Sequence, residues 1–220
     1  MPFFASGIMS GTTSATNEIL VTATRVEAPA ETIPAFVTVL DREALDPWRS
    51  ANSEEWFRQM AGVDVQGSGL PGQMVRLNMR GLTSGYQSQR VLVLVDGRRV
   101  NDPFQGNVEF GLLPFSSLDR IEVVKGPASA LYGSNAEGGV VQFFTRRAEE
   151  GAFGTLSGAY GTHHTREGRF EFGEGNNRTD YAISLGGEAT DGYRRRVTGE
   201  PLDWKSWHGD VQGGVRLNEQ

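Results

Sequence analysis

The stretch Leu118–Thr145, LDRIEVVKGPASALYGSNAEGGVVQFFT, decides the fold. It opens as a strand, with apolar Ile121, Val123 and Val124 set among Arg120, Glu122 and Lys125. The strand breaks at Gly126-Pro127, and a tight turn of small residues leads to Leu131-Tyr132, with Pro127 suited to the first position of a short helical turn. A second break at Gly133 and a polar run lead to Gly138-Gly139 and a further strand, Val140 to Thr145. Glycines at these corners supply positive φ or close backbone approach.

Two upstream blocks extend the pattern. Val75, Leu77 and Met79 alternate with Arg76, Asn78 and Arg80, the period of a strand with one buried face, and Gly81 follows. Val91–Val95 is wholly apolar, as expected of a strand covered on both faces, and Asp96-Gly97 is a hairpin-turn signal before Arg98–Val100. Between these strands lie two polar loops with one aromatic each, Leu82–Gln89 (LTSGYQSQ) and Asn101–Asn107 (NDPFQGN).

Read together, the LNMRG, VLVLVDGRRV and RIEVVKGPASALYGSNAEGGVVQFFT blocks resemble the plug domain of TonB-dependent outer-membrane receptors, in that family's order and spacing. The resemblance covers about residues 18–220. Lys125 stands where Arg is commoner, Gln142 where Asn is usual, and Met79 where Ile is usual.

Composition agrees with a β-rich chain. The 220 residues include 29 glycines and 10% aromatics, which suit many turns and strands. A net charge of −6 argues against nonspecific nucleic-acid binding, which needs a basic face. With no cysteine there is no disulfide or thiolate site. No run of about 18 apolar residues occurs, so no transmembrane helix is expected, although barrel strands give a far weaker signal.

In chain order, residues 1–17 read as a flexible leader without a basic signal-peptide start. Residues 18–29 hold a short β-prone run, Glu18–Ala23 (EILVTA), and a linker. Residues 30–149 form a compact α+β domain, with Asp41 as N-cap of a short helix through Leu45 and an apolar Trp56, Phe57, Met60 stripe in its core. From residue 150 to 220 the texture becomes alternating, as in Phe170/Phe172, Tyr181/Ile183/Leu185 and Trp207/Val211/Val215. Segments of roughly ten residues with one apolar and one polar face suit a transmembrane barrel or a soluble antiparallel sheet alike. The short Glu174–Arg178 connection and the long Glu188–Asp203 one favour the barrel. Four such strands cannot close around a plug, since plugged barrels have about 22. The expected fold class is therefore an α+β plug domain followed by antiparallel β-strands of a truncated transmembrane β-barrel.

The resemblance implies a receptor of the Gram-negative outer membrane that takes up a metal chelate and has no catalytic role. The cargo would be a siderophore, haem or cobalamin, with the plug blocks a little nearer the cobalamin and haem branches. It implies TonB as partner, driven by the proton-powered ExbB–ExbD complex, and contact with outer-membrane lipid. Glu18, Ile19, Leu20, Val21, Thr22 and Ala23 then stand as the TonB box, an extended, unpaired segment that adds as a strand to the partner's sheet edge. Arg80 and Lys125 stand where the family's plug pairs with carboxylates of the barrel wall. Gln73, Tyr86, Gln87, Phe104, Gln105 and Asn107 fall in the loops that contact ligand, and their rings and amides suit a bulky amphipathic chelate. No metal ligands or cofactor-binding residues are assigned. The alternative reading is a plug-like β-rich ligand-binding module without transport activity. A periplasmic enzyme is disfavoured, because no phosphate cradle, dinucleotide fingerprint or catalytic constellation is found.

Overall fold

The structure is a computed structural model that describes residues 20–21, 28–29, 36–45, 57–58, 60, 62–67, 75–82, 90–108, 113, 115–148, 150–192, 199 and 203–216. The central stretch forms β8 (Leu118–Lys125), a one-turn helix α2 (Ser129–Tyr132) and β9 (Gly139–Thr145). The helix starts at Ser129, so Ser129 rather than Pro127 takes its first position, with Ala128 at the N-cap. Backbone bonds from Gly126 to Gly138 (3.0 Å) and from Ala128 to Ala136 (2.8 Å) close the corner on itself. β8 and β9 pair antiparallel within a five-stranded sheet of order β3-β8-β9-β6-β7, where β3 is Phe36–Leu40, β6 Val91–Val95 and β7 Arg98–Arg99. Among the described residues only β6 and β9 run parallel.

The apolar run of β6 is explained by this position. Val91 and Val93 point into one core with Val123, Val141 and Phe143, while Leu92 and Leu94 point into a second core with Val124, Val140 and Tyr132 on the other face. Asp96 (φ 46°) and Gly97 (φ 79°) form the tight hairpin turn to β7. From β7, the Arg99 guanidinium donates to Tyr132 O, Ser134 O, Ser134 Oγ and Asn135 Oδ1, so the hairpin caps the carbonyl end of α2.

A separate hairpin, β4 (Val63–Gly67) with β5 (Val75–Met79), covers the first core. Asn78 does not face solvent as alternation suggests: it is buried and donates to Asp64 Oδ2 at 3.2 Å. The four-residue helix α1 (Arg42–Leu45) is capped by Asp41, whose Oδ1 accepts from Ala44 N at 2.9 Å. Phe57 and Met60 lie in the first core, whereas Trp56 falls outside the described residues.

The second unit is a four-stranded antiparallel meander, here called the wall: β10 (Gly151–Tyr160), β11 (Arg166–Gly175), β12 (Thr179–Thr190) and β13 (Trp204–Val215). The strands run further than the sequence suggests, so the short connection narrows to residues 176–178 and the long one to 191–203. One wall face carries Leu156, Phe170, Leu185, Trp207, Val211 and Val215, all exposed, with Trp207 87% and Leu156 82% accessible. The opposite face carries Glu167, Arg169, Glu171, Asp180, Asp210 and Gln212, and it is this polar face that meets the plug. No helix among the described residues is long and apolar enough to cross a membrane.

Candidate functional site

Three places bear on function: the N-terminal strand, the loop after β7, and the seam between plug and wall. In the first, Leu20–Val21 (β1) is not unpaired, as the TonB-box reading requires; it pairs antiparallel with Ala28–Pro29 (β2). The ladder is two residues long, and Pro29 brings no N–H to it, so little holds it closed. Glu18, Ile19, Thr22 and Ala23 lie outside the described residues.

The loop after β7 is built to hold one aromatic ring in the open. Asn101 is buried: its Nδ2 donates to Val91 O and Gly106 O, and its Oδ1 accepts from Val93 N at 2.7 Å. The neighbouring Asp102 carboxylate accepts from Phe104 N and Gln105 N, an Asx turn closed further by Asp102 N donating to Asn107 O at 2.7 Å. Asn107 Nδ2 donates to Gln105 Oε1 at 3.0 Å. Phe104 stands 96% exposed on this frame. A ring that large held in water by a fastened backbone is suited to stacking on a ligand. Gln73, Tyr86 and Gln87 fall outside the described residues.

The seam was missed in the sequence. Glu171 of β11 is buried, and its Oε2 accepts from Arg42 Nη2 of α1 at 2.6 Å and from Arg146 Nη1 at 3.4 Å. The Arg146 guanidinium also lies 3.5 Å from the centroid of the Phe153 ring of β10. Burial and the nearby Arg42 charge push the Arg146 pKa down from its usual value, and Glu171 opposes the shift. Beside this pair, Asp96 of the hairpin turn accepts from Thr145 N (3.0 Å). The Thr145 hydroxyl lies 2.6 Å from Asp96 Oδ2 and 2.8 Å from Gln212 Oε1 of β13, and its single proton serves one of them at a time. Gln212 Nε2 donates to Arg146 O at 2.7 Å, which fixes the orientation of the amide. Plug and wall are thus joined by charge-assisted and amide hydrogen bonds rather than by an apolar weld.

Arg80 and Lys125, expected to pair with wall carboxylates, each have a neighbour within the plug. Arg80 adopts φ 54°, with its guanidinium 5.7 Å from the Phe36 ring and packed against Gly126. Lys125, at the end of β8, lies with its Cδ beside Gly62. The basic side chains paired with a wall carboxylate are those of Arg42 and Arg146. Among the described residues no group of three His, Asp or Glu side chains is arranged to hold a metal ion.

Residues 29–140 match the family model described as the TonB-dependent Receptor Plug Domain. The chain is similar in structure to the ferric yersiniabactin uptake receptor FyuA from Yersinia pestis, at 18% identity over 81% of this chain and 28% of that one, TM-score 0.65. It is also similar to the copper transporter OprC, at 19% identity over 83% and 28%, TM-score 0.64. A chain of the FpvAI–pyocin S2 complex matches at 17% identity over 90% and 25%, TM-score 0.68. Identities this low speak for the fold alone, and the chain spans about a quarter of the length of these proteins. With the plug model running through β6, β8 and the corner that joins β8 to β9, the chain belongs to the TonB-dependent receptor family.

Proposed function

We propose that this chain is the plug and first wall strands of an outer-membrane receptor that takes up a metal chelate, energised by TonB. The observation that carries the reading is the two-faced wall: apolar and exposed on one side, charged and docked to the plug on the other. Lipid suits the first face, and a plug that must yield suits the second. Polar seams separate more readily than apolar ones, because water re-solvates the parted charges. In this reading residues 1–17 form a leader, 18–29 the TonB box and linker, 30–149 the plug and 150–220 the wall.

Glu18–Ala23 is the segment assigned to TonB. Capture would exchange the two-residue ladder with Ala28–Pro29 for a longer one on the partner's edge. Arg80 and Lys125 are assigned to further wall carboxylates on strands outside this chain. Phe104, Gln105 and Asn107, with Gln73, Tyr86 and Gln87, are assigned to the ligand. A siderophore, haem, cobalamin or copper chelate fits this set. Likeness in fold to a ferric yersiniabactin uptake receptor and to a copper transporter is in keeping with this class and chooses no member of it.

The test is binding of a panel of ferric siderophores, haem, cobalamin and copper complexes to the purified receptor, with Phe104→Ala as the variant. At least one chelate is expected to bind, and loss of the ring weakens it about tenfold, the scale of an exposed aromatic anchor. If no chelate binds, the uptake reading fails. A bound chelate indifferent to Phe104→Ala would remove this loop from the site.

A further inference from the structure

The apolar face of the wall does not stay apolar to its end. At the end bearing the 161–165 turn and the 191–203 connection, register sets Arg166, Ala189 and Lys205 side by side, pointing the same way as Leu156 and Trp207. The next row inward is Gly158, Gly168, Gly187 and Trp207, and the one after it Leu156, Phe170, Leu185 and Gly209. Three glycines in a row leave a trough. Trp207 walls it, its indole lying across Gly187 so closely that a Cβ there would stand 2.7 Å from the ring. At Gly168 nothing lies within 4 Å of where a side chain would go.

Two cavities result, sharing Gly168, Gly187 and Trp207. The first, about 440 Å³, is bounded by Arg166, Ala189 and Lys205; the second, about 620 Å³, by Leu156, Phe170 and Leu185. Glu167 and Glu188 also line the first cavity, but the register turns their side chains to the opposite face, where Glu167 pairs with Arg169. Among the described residues neither Arg166 nor Lys205 has an ion-pair partner. The trough therefore has a cationic head and an apolar tail.

We propose that this trough binds one lipid with an anionic phosphate head group. The phosphate sits between Arg166 and Lys205, and an acyl chain runs through the glycine row onto Leu156, Phe170 and Leu185. A wholly apolar occupant would strip water from two cations without replacing it. A free phosphate would leave the larger, apolar cavity unused. Only an amphiphile satisfies both, and aromatic side chains such as Tyr160 and Trp207 are at home where a lipid's head meets its tail. The inference rests on the reading of β10–β13 as a membrane-facing wall.

The protein is extracted from membranes in a neutral detergent, moved to micelles doped with phosphatidylglycerol or with zwitterionic phosphatidylcholine, and its retained lipids are counted by native mass spectrometry. One phosphatidylglycerol is expected to be held in preference to phosphatidylcholine. Removing the cations with Arg166→Gln and Lys205→Gln weakens it about fivefold each. Gly168→Leu fills the trough and lowers retention of both lipids with the cations intact. Equal retention by wild type and all variants, or displacement of the lipid by inorganic phosphate, overturns the proposal. Recovery of the wild-type protein in the aqueous fraction without detergent overturns the membrane reading as well, so the two failures are told apart.

Discussion

Replacing Glu171 with alanine is expected to loosen the plug from the wall more than any other single change at the seam. Glu171 is 3% exposed and is the common acceptor for Arg42 and Arg146. Its removal leaves two guanidinium groups facing each other with the shared counter-charge gone. Breaking a buried ion pair from one side costs about 3–5 kcal/mol. Both arginines keep roughly a quarter of their side-chain surface in water, which screens the loss to about 2–3 kcal/mol. Arg42→Ala alone should cost less, because Glu171 keeps Arg146. A double-mutant cycle between Arg42 and Glu171, read by chemical denaturation and by hydrogen exchange across residues 42–45, should give a coupling of about 1–3 kcal/mol. Additive single effects would mean that the 2.6 Å contact does not hold plug to wall.

Gly139→Ala is expected to break the plug sheet from inside. Gly139 starts β9 between Lys125 of β8 and Val91 of β6, with φ 159°, and a Cβ there would lie 2.4 Å from both Met79 Sδ and Val124 O. The methionine side chain can swing away, but the Val124 carbonyl belongs to the neighbouring strand and cannot. Overpacking and backbone strain together should cost about 3–5 kcal/mol. The expected readout is a fall in plug unfolding temperature of roughly 10 °C and loss of exchange protection in β8 and β9. Gly154→Ala is the control: its Cβ would make ordinary contact, 3.8 Å from Phe172, and should change stability by less than about 0.5 kcal/mol. Equal effects at the two glycines would contradict the close approach.

The plug was largely legible in the sequence because its signals are local. Gly126, Gly133 and Gly139 mark corners by their backbone needs, Asp96-Gly97 names its own turn, and VLVLV announces a strand with cores on both faces. Asp41 is likewise a local N-cap. Wall alternation was equally clear, since period two needs no partner to be seen. The seam was not legible. Arg42 and Glu171 lie 129 positions apart, and nothing in REAL or RFEFG says that one helix start will rest on one strand. The available signal was that Glu167, Arg169 and Glu171 are all charged on the face opposite Phe170 and Phe172, so that face needed ionic partners. The trough was hidden too, because glycines at 158, 168 and 187 line up only once the register is known. Arg80 and Lys125 drew attention through their motif places, while the packing puts them beside Phe36 and Gly62.

The measurement that bears most directly on an energised receptor is binding of a Glu18–Ala23 peptide to the purified C-terminal domain of TonB, beside the same peptide carrying Leu20→Pro. Strand addition depends on backbone donors, and proline removes one from the centre of the segment. Binding by the native peptide, lost in the proline variant, is the result expected of a receptor pulled from its N-terminal side. Absence of binding by both peptides would contradict it, leaving a plug fold with ligand loops and no drive.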